Sequence, residues 1–146
     1  MQIDTGVTAI AAGAWHSLYI KSNGSLWGMG NNADGRLGIM QMYANVSYST
    51  QVFGQGTTIL YPTQIVGSGV VGAAGGGWHS LIWKNDGSLW AMGDNSQGQL
   101  GTGDTTGHYL PTQVLPNGVI MASAGFDFSL VVELSLIHIS EPTRPY

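Results

Sequence analysis

Short apolar runs, each stopped by a cluster of Gly, Asn, Asp or Ser, follow one another along the whole chain. Val7 to Ala12, His16 to Lys21 and Ser25 to Gly30 each have the length of a strand, and a further short run follows Pro62. Four strands per unit are therefore expected. Ser22-Asn23-Gly24 and Asn85-Asp86-Gly87 each lie between two apolar runs, where Asn-Gly or Asp-Gly supplies the positive φ angles of a tight hairpin turn. Runs such as Ser80-Leu81-Ile82-Trp83 and Ser88-Leu89-Trp90-Ala91-Met92 do not alternate with polar residues, so both faces of these strands should be buried.

The pattern repeats. His16-Ser17-Leu18 through Asn23-Gly24-Ser25-Leu26-Trp27 to Met29-Gly30 returns as His79-Ser80-Leu81 through Asp86-Gly87-Ser88-Leu89-Trp90 to Met92-Gly93. The offset that carries Trp15 onto Trp78 also carries Gly13, His16, Gly24, Trp27, Gly30 and Gly38 onto Gly76, His79, Gly87, Trp90, Gly93 and Gly101. Pro62-Thr63-Gln64-Ile65 meets Pro111-Thr112-Gln113-Val114 at a shorter offset, so Ile39 to Tyr61 in the first copy holds an inserted loop. A third copy opens at Gly125 and keeps Ser129-Leu130, but has Asp127 and Phe128 where the others have Trp and His. Units are expected at 1–63 with the insertion at 39–61, at 64–112, and at 113–133 as the start of a third. Such a unit cannot bury its own apolar face and must stack on a neighbour.

Both ends differ from a complete array. Gln2-Ile3 and Gly6-Val7 parallel Gln64-Ile65 and Gly69-Val70, which puts Met1 in mid-repeat and predicts a piece of a longer protein. Residues 134–146 fit no repeat. Their Leu-Ser-Leu-Ile-His-Ile-Ser-Glu-Pro-Thr-Arg stretch resembles an in-frame translation of a transposon-end sequencing adapter, and the segment is expected to be non-native.

Composition narrows the function classes. Charged residues make up only 8% against 23 glycines, which suits turned, buried strands better than helices with a solvated face. Lys21, Arg36, Lys84 and Arg144 face eight carboxylates, so the chain has no basic surface to neutralise phosphates and nucleic acid is not expected as a partner. Cysteine is absent, which removes disulfide and thiolate chemistry. The most apolar window, Val119 to Ile139, contains Asp127, Glu133 and His138 and fails as a membrane span, and the first residues lack the regions of a signal peptide.

The order Ala-Ala-Gly, two variable residues, His-Ser-Leu, a turn with Gly-Ser-Leu-Trp, then Met92-Gly93-Asp94-Asn95-Ser96-Gln97-Gly98-Gln99-Leu100-Gly101 resembles the repeat of the regulator of chromosome condensation family in its bacterial style. The likeness runs from Gln2 to about Glu133. It implies a β-propeller of four-stranded blades, hence an all-β partial propeller with two blades and the start of a third. Trp27 and Trp90 would then pack between blades, and the repeated glycines would serve turns and convergence toward the propeller axis.

Candidate chemistry is sparse. His16 and His79 could be bases or ligands, but their equivalence in successive copies, with Phe128 in the third, favours a structural hydrogen-bonding position. His108 with Asp104 lacks a third ligand. Asp94 to Gly98 lacks the glycine and the distal Glu of a calcium loop, and Gly28-Met29-Gly30 lacks the rest of a dinucleotide fingerprint. No catalytic, cofactor or metal site is expected.

Two features rise above the scaffold. Ala14-Trp15, Gly77-Trp78 and Phe126-Asp127 occupy positions that vary within the family and that face the bound enzyme in its propeller-type β-lactamase inhibitors. Trp15 and Trp78 are either interface anchors or packing between blades. Met42, Tyr43, Tyr48 and Phe53 in the insertion are either a recognition surface or passive. The resemblance implies a non-catalytic protein-interaction scaffold from a bacterial surface or secreted protein, binding an unknown protein or surface polymer. Enzyme inhibition and guanine nucleotide exchange are the alternatives, and self-association of the isolated piece is expected.

Overall fold

A computed structural model describes residues 2–39 and 58–134. Among them every regular element is a strand: β1 (Val7–Ala12), β2 (His16–Lys21), β3 (Leu26–Asn31), β4 (Thr58–Val66), β5 (Val70–Gly75), β6 (His79–Lys84), β7 (Leu89–Gly93), β8 (His108–Leu115), β9 (Val119–Ala124) and β10 (Ser129–Glu133). They form two four-stranded sheets, β1-β2-β3-β4 and β5-β6-β7-β8, and a two-stranded β9-β10. All pairs are antiparallel neighbours in sequence. The fold is all-β, a partial propeller with two blades and the start of a third.

β4 starts before Pro62 and runs through the repeated Pro-Thr-Gln motif. Thr63 pairs with Gly28 and Gln64 with Trp27, so the sheet continues past 63/64 to Val66. β8 likewise crosses 112/113 and ends at Leu115. The blades thus divide a few residues after the sequence units.

The hairpin turns differ in type from the Asn-Gly expectation. Gly24 N–H donates to Lys21 O at 2.8 Å, and among the described residues every left-handed φ belongs to glycine, 78° at Gly24 and 81° at Gly87. Asn23 therefore keeps a right-handed backbone and does other work. Its side-chain oxygen accepts the Ser25 N–H at 3.0 Å and the Ser25 hydroxyl at 2.6 Å, and that hydroxyl in turn accepts the Trp27 indole N–H at 2.9 Å. Asp86, Ser88 and Trp90 repeat the relay. This is a three-residue loop closed by a left-handed glycine, the other common hairpin solution.

Blades converge at their first strands. β1 lies against β5 and β5 against β9. A Cβ at Gly75 would stand 2.5 Å from the Gly13 nitrogen, so this approach tolerates only glycine. β6 is buried on both sides, as its unbroken apolar run requires. Ile82 joins Leu18, Ile20, Leu26, Leu37 and Val70 between the first two blades, and Leu81 joins Leu89, Leu100, Val119 and Ala122 between the second and third sheets. Each such Leu, Ile or Val side chain contributes about 1.5–3 kcal/mol on burial.

Candidate functional site

Strand direction decides which loops share an end. Because neighbours are antiparallel, the β1–β2, β5–β6 and β9–β10 connections emerge at the same end as the β3–β4 and β7–β8 connections, and the hairpin turns lie at the other. Trp15, Trp78 and Asp127 occupy the first set of loops. Ile39 and Thr58, which flank the insertion, lie in the β3–β4 connection at that same end. Met42, Tyr43, Tyr48 and Phe53 lie outside the described residues.

Beneath this end a hydrogen-bond relay ties the blades together. His16 Nε2 lies 2.7 Å from Ser80 Oγ, and the Ser80 hydroxyl donates to Arg36 O at 2.7 Å. Since the serine spends its proton on the carbonyl, it accepts from the ring, and His16 is the neutral Nε2–H tautomer. The second interface repeats the arrangement with His79, Ser129 and Gln99 O at 2.9 and 2.7 Å. Burial, then the charge of Arg36, pushes His16 down from 6.5 to about 4, and burial lowers His79. The imidazoles are structural donors. Phe128 keeps the ring's place in the third unit, where a Cβ on Gly125 would meet it at 2.2 Å, as a Cβ on Gly13 would meet His16.

Above the relay runs an aromatic rim. Trp15 is 59% exposed and Phe126 55%. Trp78 is half-buried, with the Phe126 ring edge-on at 5.9 Å and the Arg36 guanidinium over its face at 4.5 Å. Arg36 is 0% exposed, salt-bridged to Asp34, and its Nη1 donates weakly to Gly77 O at 3.4 Å. Trp78 thus both packs across the blade boundary and borders the surface, while Trp15 carries no such cover. Asp127 is exposed beside them. Trp90 packs into the apolar core between the first two blades. Trp27 lies on the opposite face of the first blade, stacked on Tyr19 at 6.4 Å with Lys21 Nζ at 5.2 Å from its ring.

The remaining polar loops are occupied by their own donors. Asn95 is fully buried, its amide donating to Thr102 Oγ1 and to the Asp104 and Thr106 carbonyls while its oxygen accepts the Leu100 N–H. Asp94 accepts from Ser96 and Gln99, and Asp104 from Thr102. These contacts make loop architecture. Arg36 is the one member of the rim that sequence patterning leaves unmarked, because its aromatic partner belongs to the following repeat.

The family model for the regulator of chromosome condensation (RCC1) repeat matches residues 23–83 and 86–132. The chain belongs to the RCC1 repeat family. A second model of the RCC1 repeat matches 7–36 and 70–99, the same positions in successive copies. The chain is 32% identical over 138 residues to the Protein RCC2 homolog of Danio rerio, covering 89% of this chain and 25% of that protein. It is 34% identical over 114 residues to the X-linked retinitis pigmentosa GTPase regulator homolog of Caenorhabditis elegans, covering 77% of this chain and 7% of the relative. The crystal structure of Prp20p from Saccharomyces cerevisiae, characterised with its binding properties to Gsp1p and histones, superposes with a TM-score of 0.70 at 24% identity. That match covers 88% of this chain and 32% of Prp20p, so the chain spans about a quarter of the RCC2 homolog and a third of Prp20p.

Proposed function

We propose that this chain is part of a protein-binding propeller that works by surface contact at its loop end, without chemistry of its own. The observation that carries this is the rim itself, with Trp15 and Phe126 more than half exposed at the loop end, above the buried His16 and His79. Large exposed aromatics on loops held by a rigid scaffold are the usual anchors of recognition. Prp20p, whose structure was described with its binding to Gsp1p and histones, lends the same direction. The test is affinity capture with the wild type and with Trp15→Ala and Trp78→Ala. Capture of a discrete partner that falls at least tenfold in the folded variants supports the proposal, and capture indifferent to both contradicts it.

The second reading is regulation of nucleotide exchange on a small GTPase, favoured by the likeness to a GTPase regulator homolog. Accelerated release of labelled GDP in the presence of the chain would support it. An enzyme inhibitor would instead be recognised by recovery of a single hydrolase. A bacterial surface or secreted setting for the longer protein rests on the style of the repeats alone, and fractionation of its source cells tests it.

A further inference from the structure

We infer that Asn117 is a site of spontaneous covalent modification, at which the folded chain loses ammonia and converts to aspartate and isoaspartate. The chain holds two Asn-Gly pairs, Asn23-Gly24 and Asn117-Gly118. Such a pair reacts because glycine has no Cβ to shield its own nitrogen. The Gly118 nitrogen attacks the side-chain carbonyl carbon of Asn117 and passes its proton to the departing amide, which leaves as ammonia. Water then opens the resulting succinimide, at one carbonyl to give aspartate and at the other to give isoaspartate.

The two pairs stand in different surroundings. At the hairpin, Gly24 N–H donates to Lys21 O at 2.8 Å, and the Asn23 side-chain oxygen accepts the Ser25 N–H and hydroxyl at 3.0 and 2.6 Å, so attack requires all of these bonds to break. Asn117 is exposed in the connection from β8 to β9. Among the described residues neither its side chain nor the Gly118 N–H has a hydrogen-bond partner. The exposure belongs to the repeat, since Ser68, at the same place before Gly69 and with a complete four-stranded sheet on either side, is exposed as well. Thr5, Ser68 and Asn117 precede the equivalent Gly6, Gly69 and Gly118, so the connection itself does not require asparagine.

The position gives the reaction a structural consequence. Val119 N–H donates to Gly87 O at 2.9 Å, as Val70 N–H donates to Gly24 O at 3.0 Å one sheet earlier, which ties each connection to the hairpin turn of the preceding sheet. Isoaspartate routes the main chain through the former side chain and adds a methylene just before Gly118. The longer path displaces Val119 from that bond and from the core it shares with Leu81, Leu89 and Ala122.

Peptide mapping by mass spectrometry of the folded chain held in warm, mildly alkaline buffer tests this. The peptide carrying Asn117 should gain the mass of an amide-to-acid exchange and split into two isomers. The Asn23 peptide should lag at least about tenfold, because its hydrogen bonds must open first. In denaturant both pairs should convert at similar rates. Asn117→Ser, which borrows the residue of the preceding connection, should abolish the early product and keep its melting temperature through the incubation, while that of the wild type falls. Freshly prepared Asn117→Asp, which adds the charge without lengthening the chain, should melt like fresh wild type. Conversion of Asn23 as fast as Asn117 in the folded chain, or an Asn117 that converts only in denaturant, would overturn the assignment. A wild type that contains isoaspartate and melts as before would overturn the structural consequence.

Discussion

At Gly13 the fold needs the absence of a side chain more than the freedom of the backbone. A Cβ there would lie 2.2 Å from His16 Cε1 and 2.5 Å from Gly76 O, and the second of these is backbone of the next blade. Gly13→Ala is expected to cost about 1–3 kcal/mol by overpacking, read from urea denaturation. Gly98→Ala is the contrast, because no atom lies within 4 Å of its Cβ and only its φ of 74° opposes the change, so about 1 kcal/mol is expected. The sequence marks Gly13 by repeating it at Gly76, yet repetition cannot tell a close approach from a left-handed turn. Arg36 shows the complementary blindness. It looks like a loop cation, and only stacking of one blade on the next reveals that Trp78 receives it. Trp78→Ala should therefore expose Arg36 and cost roughly 1–2 kcal/mol, within the range for losing a partly desolvated cation–π contact and the edge-on Phe126.

Between elements, the His16–Ser80–Arg36 relay makes blade docking sensitive to acid. His16 falls from 6.5 to about 4 through burial and the Arg36 charge, and burial also lowers His79 while Asp127 and Asp94 oppose the shift. The unfolded chain then binds more protons than the folded one between those two values. The stability due to neutral His16 is complete above about pH 6.5 and is lost as pH falls toward 4, on the order of 3 kcal/mol. Asp4, held down to about 2 by Lys21 and Tyr19, loses its contribution only at lower pH. Thermal melts from pH 7 to 4.5 should show a steady decline, flattened in His16→Gln/His79→Gln. An equally steep decline in that double variant would assign the effect to other groups. Strand identity was legible here because apolar runs and turn clusters are local. The relay was half legible, since the repeated His-Ser pair is visible while its crossing from one blade to the next is not. Turn type was not legible, because Asn23 turned its side chain rather than its backbone to the task.

For the whole molecule the consequence of stacking is open ends. On the first blade's face away from the second, Tyr19 is buried and Trp27 half-buried, while Leu130 and Val132 are exposed on the third sheet. Such faces expect another blade, and light scattering should show concentration-dependent association of the isolated chain, where a monodisperse monomer at all concentrations would contradict it. Removing residues 134–146 should leave the melt unchanged if that segment is non-native, and a large loss of stability would give it a structural role. Repeat architecture was legible because a block returning at fixed offset leaves few ways to bury its faces. The identity of the loop-end partner was not, because no repeat specifies what lies outside the scaffold.

The central claim is a division of labour between two tryptophans, Trp15 standing clear of the core at the loop end and Trp90 holding blade faces together. Urea denaturation of Trp15→Ala beside Trp90→Ala tests it in one measurement. Trp90 packs into the core between the first two blades, and its truncation should cost about 3–5 kcal/mol. Trp15, 59% exposed, should change stability by no more than about 0.5 kcal/mol. A Trp15→Ala chain that unfolds as readily as Trp90→Ala would contradict the account and place the rim inside the fold.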